Sequence, residues 1–106
     1  MIKQRPASAG LACALLLTLP QGTAQGDELF EYGAYLSSQC STCHRLDAFE
    51  GGIPPLGHLP KDYFIIAMRE YKSGRRSNPA MVSVANALSD EEIAALATYY
   101  AAQRQE

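Results

Sequence analysis

The chain has 106 residues, with nine Lys+Arg against eleven Asp+Glu and a formal net charge of −2. That length makes one small domain whose side chains alone would form a marginal core. The acidic balance argues against nucleic acid as a partner, because a phosphate backbone needs a basic face.

Met1 to Ala24 has the pattern of a cleaved secretory signal peptide. Lys3 and Arg5 form a basic start, Gly10 to Leu19 a short apolar stretch, and Pro20 and Gly22 a break before small residues. The apolar stretch is too short to span a bilayer comfortably, so cleavage is expected rather than an anchor. The expected mature chain is one domain, 25–106, exported to the periplasm and without a membrane span. Cys13 lies near the beginning of the apolar stretch, whereas a lipoprotein cysteine would end it, so it leaves with the leader. Losing Lys3 and Arg5 leaves seven basic against eleven acidic residues, a charge of −4.

The next segment is a predicted helix from about Glu28 to Gln39. Asp27 is its N-cap, and Glu28 and Glu31 lie in a first turn where the helix dipole favours negative charge. Leu29, Gly33, Leu36 and Cys40 recur at helical spacing, so one apolar face leads into the run Cys40-Ser41-Thr42-Cys43-His44.

That run is the attachment signature of c-type haem. Each thiol can add across one haem vinyl group, and the adjacent imidazole then becomes the proximal iron ligand. The competing chemistries fit less well. A disulfide gives His44 no role, and a thioredoxin-like pair needs a βαβ context that is absent. A zinc site needs four ligands, and no second cysteine pair exists to complete one.

Between His44 and Pro60 the chain is rich in Gly and Pro, which makes a shaped loop. A second helix is predicted over Lys61 to Ser73, started by Pro60 or its neighbour and stopped by Gly74, with Phe64, Ala67, Met68 and Tyr71 on its inner stripe. Lys72, Arg75 and Arg76 cluster at its end. A short helical turn is expected at Val82 to Leu88. The last helix is predicted from Asp90 to Gln103, opened by a Ser89/Glu92 capping box, with Ile93, Leu96, Ala97 and Tyr100 inward. No strand alternation is visible.

A six-coordinate electron-transfer haem needs a second axial ligand, and Met81, Met68 and His58 can supply one. Met81 is the first choice: it follows Asn78-Pro79-Ala80, expected to be a rigid loop that can carry a thioether over the iron. Met68 lies on a helix stripe, where methionine is more often packing. His58 lies in the Pro/Gly loop, close in sequence to His44.

With these blocks in order, the chain resembles a small class I cytochrome c of the bacterial periplasm, and among such proteins the haem subunit of flavocytochrome c sulfide dehydrogenase. The resemblance covers about Leu36 to Ala102 and rests on CSTCH, IPPLG, DYFIIAMREYKSGRR, NPAM and LSDEEIAALATYYA. It implies an all-α fold of three main helices and loops wrapped around one covalently attached haem c. It implies that Cys40 and Cys43 hold the haem, that His44 and Met81 bind the iron, and that a proline carbonyl, best matched by Pro54 with Pro55 as the alternative, accepts from the far nitrogen of His44. Tyr63 and Arg76 fall where such proteins carry an aromatic and a basic residue near the haem or its propionates. The close crossing of first and last helices falls at Gly33 or Ala34 against Tyr99 or Tyr100.

The function expected is one-electron transfer, with no bond made or broken by the chain itself and redox proteins as partners. A flavoprotein sulfide dehydrogenase subunit is the specific partner the resemblance implies. Two rivals are a haem enzyme or gas sensor with an open sixth iron position, which requires Met81 not to bind, and a haem-free Cys-x-x-Cys redox protein.

Overall fold

The computed structural model describes residues 24–103, together with residues 3, 4, 10, 14 and 15. The predicted leader, Cys13 included, therefore lies almost wholly outside the described residues. Among those described, the chain is all-α, with four α-helices and a single isolated bridge between Glu50 and Ile53. This agrees with the class I cytochrome c-like fold that the resemblance implies.

Helix α1 spans Ala24–Leu36 and continues as a 3-10 turn over Ser37–Gln39. It begins earlier than predicted, so Asp27 is an acidic residue of the first turn and not the cap. Its inner face is the predicted one: Gly33 and Leu36 are buried, and Leu29 and Cys40 pack against the core.

Helix α2 spans Lys61–Ser73, as predicted, because Pro60 pre-sets the first turn and Gly74 ends it in the left-handed conformation at φ 82°. Helix α3 spans Pro79–Asn86. Its start was expected to be loop. Asn78 caps it by accepting from Met81 N at 3.1 Å, and Pro79 occupies the first turn, so the helix starts three residues before the expected Val82. Helix α4 spans Asp90–Ala102 with both halves of the Ser89/Glu92 capping box formed.

Helices α1 and α4 cross at Gly33. A Cβ added there would lie 2.7 Å from the Ala95 carbonyl carbon and 2.8 Å from Tyr99 Cβ, so only glycine permits the approach. The crossing thus falls at Gly33 against Tyr99, as expected, with Ala95 one turn earlier as its second contact. Ile93, Leu96, Ala97 and Tyr100 of α4 are all buried, and they meet Leu36 of α1, Phe64 and Met68 of α2, Ala85 of α3 and Leu56 and Leu88 of the connections. Ile93 and Leu96 are about 1% exposed, and a fully buried side chain of this kind contributes about 1.5–3 kcal/mol. Phe64 stacks on Tyr100 with ring centroids 5.7 Å apart, and Tyr99 meets Tyr100 edge-on at 5.1 Å. No helix among the described residues is long and apolar enough to cross a membrane.

Candidate haem-attachment site

The cysteine motif is wound as a continuation of α1. Cys40 and Ser41 both donate from the backbone to Ser37 O at 3.0 Å, Cys43 N donates to Cys40 O at 3.1 Å, and His44 N donates to Cys40 O at 2.8 Å. The last of these is a helical i to i−4 bond, which stacks His44 one turn beyond Cys40 on the same face. Four hydroxyls hold the tightening backbone. Ser37, Ser38, Ser41 and Thr42 each donate to the carbonyl three residues earlier, at 2.6, 3.2, 3.1 and 2.6 Å. Sequence reasoning missed this ladder, although hydroxyls spaced for back-bonding were its signal.

Cys40 and Cys43 are free thiols. Cys40 is half-buried against the core and Cys43 is exposed. Burial pushes the Cys40 thiol above its ordinary value, while a hydrogen bond with Tyr100 pulls it back. The same burial, reinforced by Cys40, pushes the Tyr100 hydroxyl up.

The loop after the motif folds back on it. Leu56 N donates to Arg45 O and Gly57 N to Leu46 O, both at 2.9 Å. Gly57 has no side chain to obstruct this, and a Cβ there would lie 3.1 Å from the Leu46 carbonyl carbon and still closer to its oxygen. At the far end, Glu50 and Ile53 bridge across Gly51 and Gly52, whose φ angles of 60° and 79° suit a tight hairpin turn. Arg45 pairs with the Glu50 carboxylate across the loop. This doubled-back path brings Pro54 O to 2.8 Å from His44 Nδ1. A carbonyl can only accept, so Nδ1 carries the hydrogen and Nε2 keeps its lone pair for a metal.

The remaining candidates divide between places. Met81 is the third residue of α3, half-buried and packed against the core, and it is not in a loop as expected. Met68 is 4% exposed within the core. His58 is exposed, with its backbone in the left-handed region at φ 64° and its N–H donating to Tyr100 O at 3.2 Å. The Tyr63 and Arg76 side chains meet each other. The Arg76 guanidinium lies 5.8 Å from the Tyr63 ring and 5.7 Å from the Tyr71 ring, and its Nε donates to Glu70 at 3.0 Å.

An open cavity of about 1030 Å³ is walled by Cys43, His44, Leu46, Ile53, Gly57 and Gln103, among others. Its size is at the upper end of the range for cofactor sites. Neither Met81 nor the Tyr63/Arg76 pair lines it. The donor set fits a c-type haem: two free thiols one turn apart, then an imidazole whose outer nitrogen is already committed to a carbonyl. No cluster of three or more His, Cys, Asp or Glu able to hold a bare metal ion exists among the described residues.

No family model matches the sequence. Two curated relatives do. The chain is 38% identical over 94 residues to a thiosulfate dehydrogenase electron acceptor of Stutzerimonas stutzeri, an alignment covering 84% of this chain and 43% of the relative. It is 34% identical over 67 residues to a protein of the same name in Thiomonas intermedia, covering 60% of this chain and 31% of that one. The chain therefore spans less than half the length of the curated relatives it matches. Both relatives are electron acceptors by name, which agrees with a small electron-transfer cytochrome.

Proposed function

We propose that this protein is an exported, periplasmic monohaem c-type cytochrome that carries single electrons away from a sulfur-compound dehydrogenase of the thiosulfate-oxidising kind. In this reading Met1–Ala24 is the export leader, Cys40 and Cys43 hold the haem, and His44 and Met81 ligate its iron. The observation that carries the reading is the His44–Pro54 hydrogen bond beside two free thiols, because it presets the imidazole as a metal ligand. When bound, the haem supplies the iron that accepts and releases the electron.

The chain's own residues make that exchange easy. Pro54 holds the His44 ring in one tautomer and one orientation, and the Asn78 cap holds the backbone of Met81. Two ligands held in both oxidation states leave little structure to rearrange at each transfer. A thioether from Met81 together with the His44 imidazole would also favour ferrous iron and raise the reduction potential. The names of the two relatives suggest a thiosulfate-oxidising donor, and the proposal follows them in place of the flavoprotein donor that the resemblance implied.

The test is an absorption spectrum of matured protein, with and without Met81→Ala, followed by reduction with thiosulfate and a thiosulfate dehydrogenase. The expected result is a low-spin c-type spectrum whose thioether-to-iron charge-transfer band disappears in Met81→Ala, and rapid reduction by the enzyme. Absence of covalent haem would end the proposal. A band that survives Met81→Ala and is lost in Met68→Ala would reassign the ligand, and a high-spin wild-type spectrum would favour an open sixth position.

A further inference from the structure

We propose that Arg76 is a positioning residue for the Met81 thioether, latching the α2–α3 connection onto α2 so that the helix carrying Met81 starts from a fixed point. The proposal rests on the reading of Met81 as axial ligand.

The latch has four points of attachment. The Arg76 backbone N–H donates to Glu70 O at 3.1 Å, and its Nε donates to the Glu70 carboxylate at 3.0 Å. The guanidinium carbon then lies 5.8 Å from the Tyr63 ring centroid and 5.7 Å from that of Tyr71, both within cation–π range. Glu70, Tyr63 and Tyr71 all belong to α2, so Arg76 is tied to that helix after Gly74 has turned the chain away from it. Only Ser77 separates Arg76 from Asn78. Asn78 in turn accepts from Met81 N at 3.1 Å and from Val82 N at 2.9 Å, and Pro79 fixes the backbone between. The path from the rigid body of α2 to the thioether is thus pinned at Arg76, Asn78 and Pro79.

An ion pair about one-third exposed on each side is weak by itself. The planar guanidinium adds two ring faces and a directional Nε bond, which a lysine at this position could not reproduce. The latch therefore works by geometry, holding the connection in one path, and its loss should free the ligand to leave the iron more often without displacing it at rest.

The experiment titrates the ferric, haem-loaded protein with imidazole, which competes with the thioether for iron. Arg76→Gln and Glu70→Gln should each keep the thioether-to-iron band in buffer yet bind imidazole about tenfold more tightly than wild type. Arg75→Gln removes the same charge one residue away and should leave the affinity unchanged. The proposal is overturned if both latch variants bind imidazole within about twofold of wild type, or if Arg75→Gln matches them. Failure of the underlying ligand reading shows separately, as a wild-type band that is absent or survives Met81→Ala, and it would take the latch with it.

Discussion

The ring of His44 and the backbone of Pro54, ten residues apart, are joined by a 2.8 Å hydrogen bond from Nδ1 to the carbonyl oxygen. The bond sets both the tautomer of the ring and its electron-donating strength. Pro54→Gly keeps the carbonyl but releases the backbone that aims it, so the bond should weaken and the ring should donate less to ferric iron. The expected outcome is a reduction potential higher by about 30–60 mV, up to a tenfold change in a one-electron equilibrium. A redox titration of wild type and variant checks it, and an unchanged or lowered potential would contradict the role given to Pro54.

Gly33→Ala should destabilise the protein although alanine is the better helix former. The new methyl meets the Ala95 carbonyl and Tyr99 Cβ at distances no real Cβ tolerates, so α1 and α4 must separate. Overpacking of this kind costs about 1–3 kcal/mol, against a helix-propensity gain of about 1 kcal/mol. Denaturant unfolding should show a lower midpoint, and a raised one would mean that the helices slide apart at no cost.

How far the sequence foretold this arrangement depends on where each signal lay. Helix α2 was legible to the residue because Pro60 and Gly74 are local punctuation, and the start of α4 because Ser89 and Glu92 are three residues apart. The burial of Leu36, Phe64, Met68, Ile93, Leu96, Ala97 and Tyr100 was likewise visible in helical spacing. The start of α3 was misplaced, although Asn78-Pro79 is a cap followed by a first-turn proline and could have been read as one. The start of α1 was misplaced because Asp27 can cap a helix or sit within its first turn, and composition does not distinguish the two. The pairing of Arg45 and Leu46 with Leu56 and Gly57 was hidden, since a run of Gly and Pro signals a turn without saying which residues it brings together. The closure of Arg76 on Glu70, Tyr63 and Tyr71 depends on how the chain leaves Gly74, which residue types alone do not specify.

Met68 and Met81 should separate by phenotype. Met68 is 4% exposed in the core, so Met68→Ala should cost about 2–5 kcal/mol of stability and leave the thioether-to-iron band in place. Met81→Ala should abolish the band with a smaller loss of packing, since Met81 is only half-buried. Thermal unfolding and absorption spectra on the same samples decide between them.

Ser89→Ala should weaken α4 by about 1 kcal/mol through loss of its cap and should also alter the acid side of the stability profile. In the folded chain the Ser89 backbone and side chain hold the Glu92 carboxyl below its ordinary value. A lowered folded-state pKa stabilises the protein above the unfolded-state value, and that stabilisation fades as pH falls through the folded one. The wild type should therefore lose stability below the ordinary carboxylate range, and Ser89→Ala should lose less over the same interval. Denaturant midpoints measured from neutral pH downward test this, and parallel profiles would show that the Ser89 hydroxyl adds nothing to what the Ser89 backbone N–H does for Glu92.

The crossing of Gly33 with Ala95 also orders events in time. Helix α1 and the cysteine motif are synthesised early, but the surface they pack on is α4, which comes roughly sixty residues later and must be recruited across that whole loop. Until then Cys40 has no core to be buried in, and its thiol stays open to a bulky electrophile. The long separation between the two halves of this crossing makes closure a late event, which under the proposed function would leave an interval for haem attachment before the chain shuts.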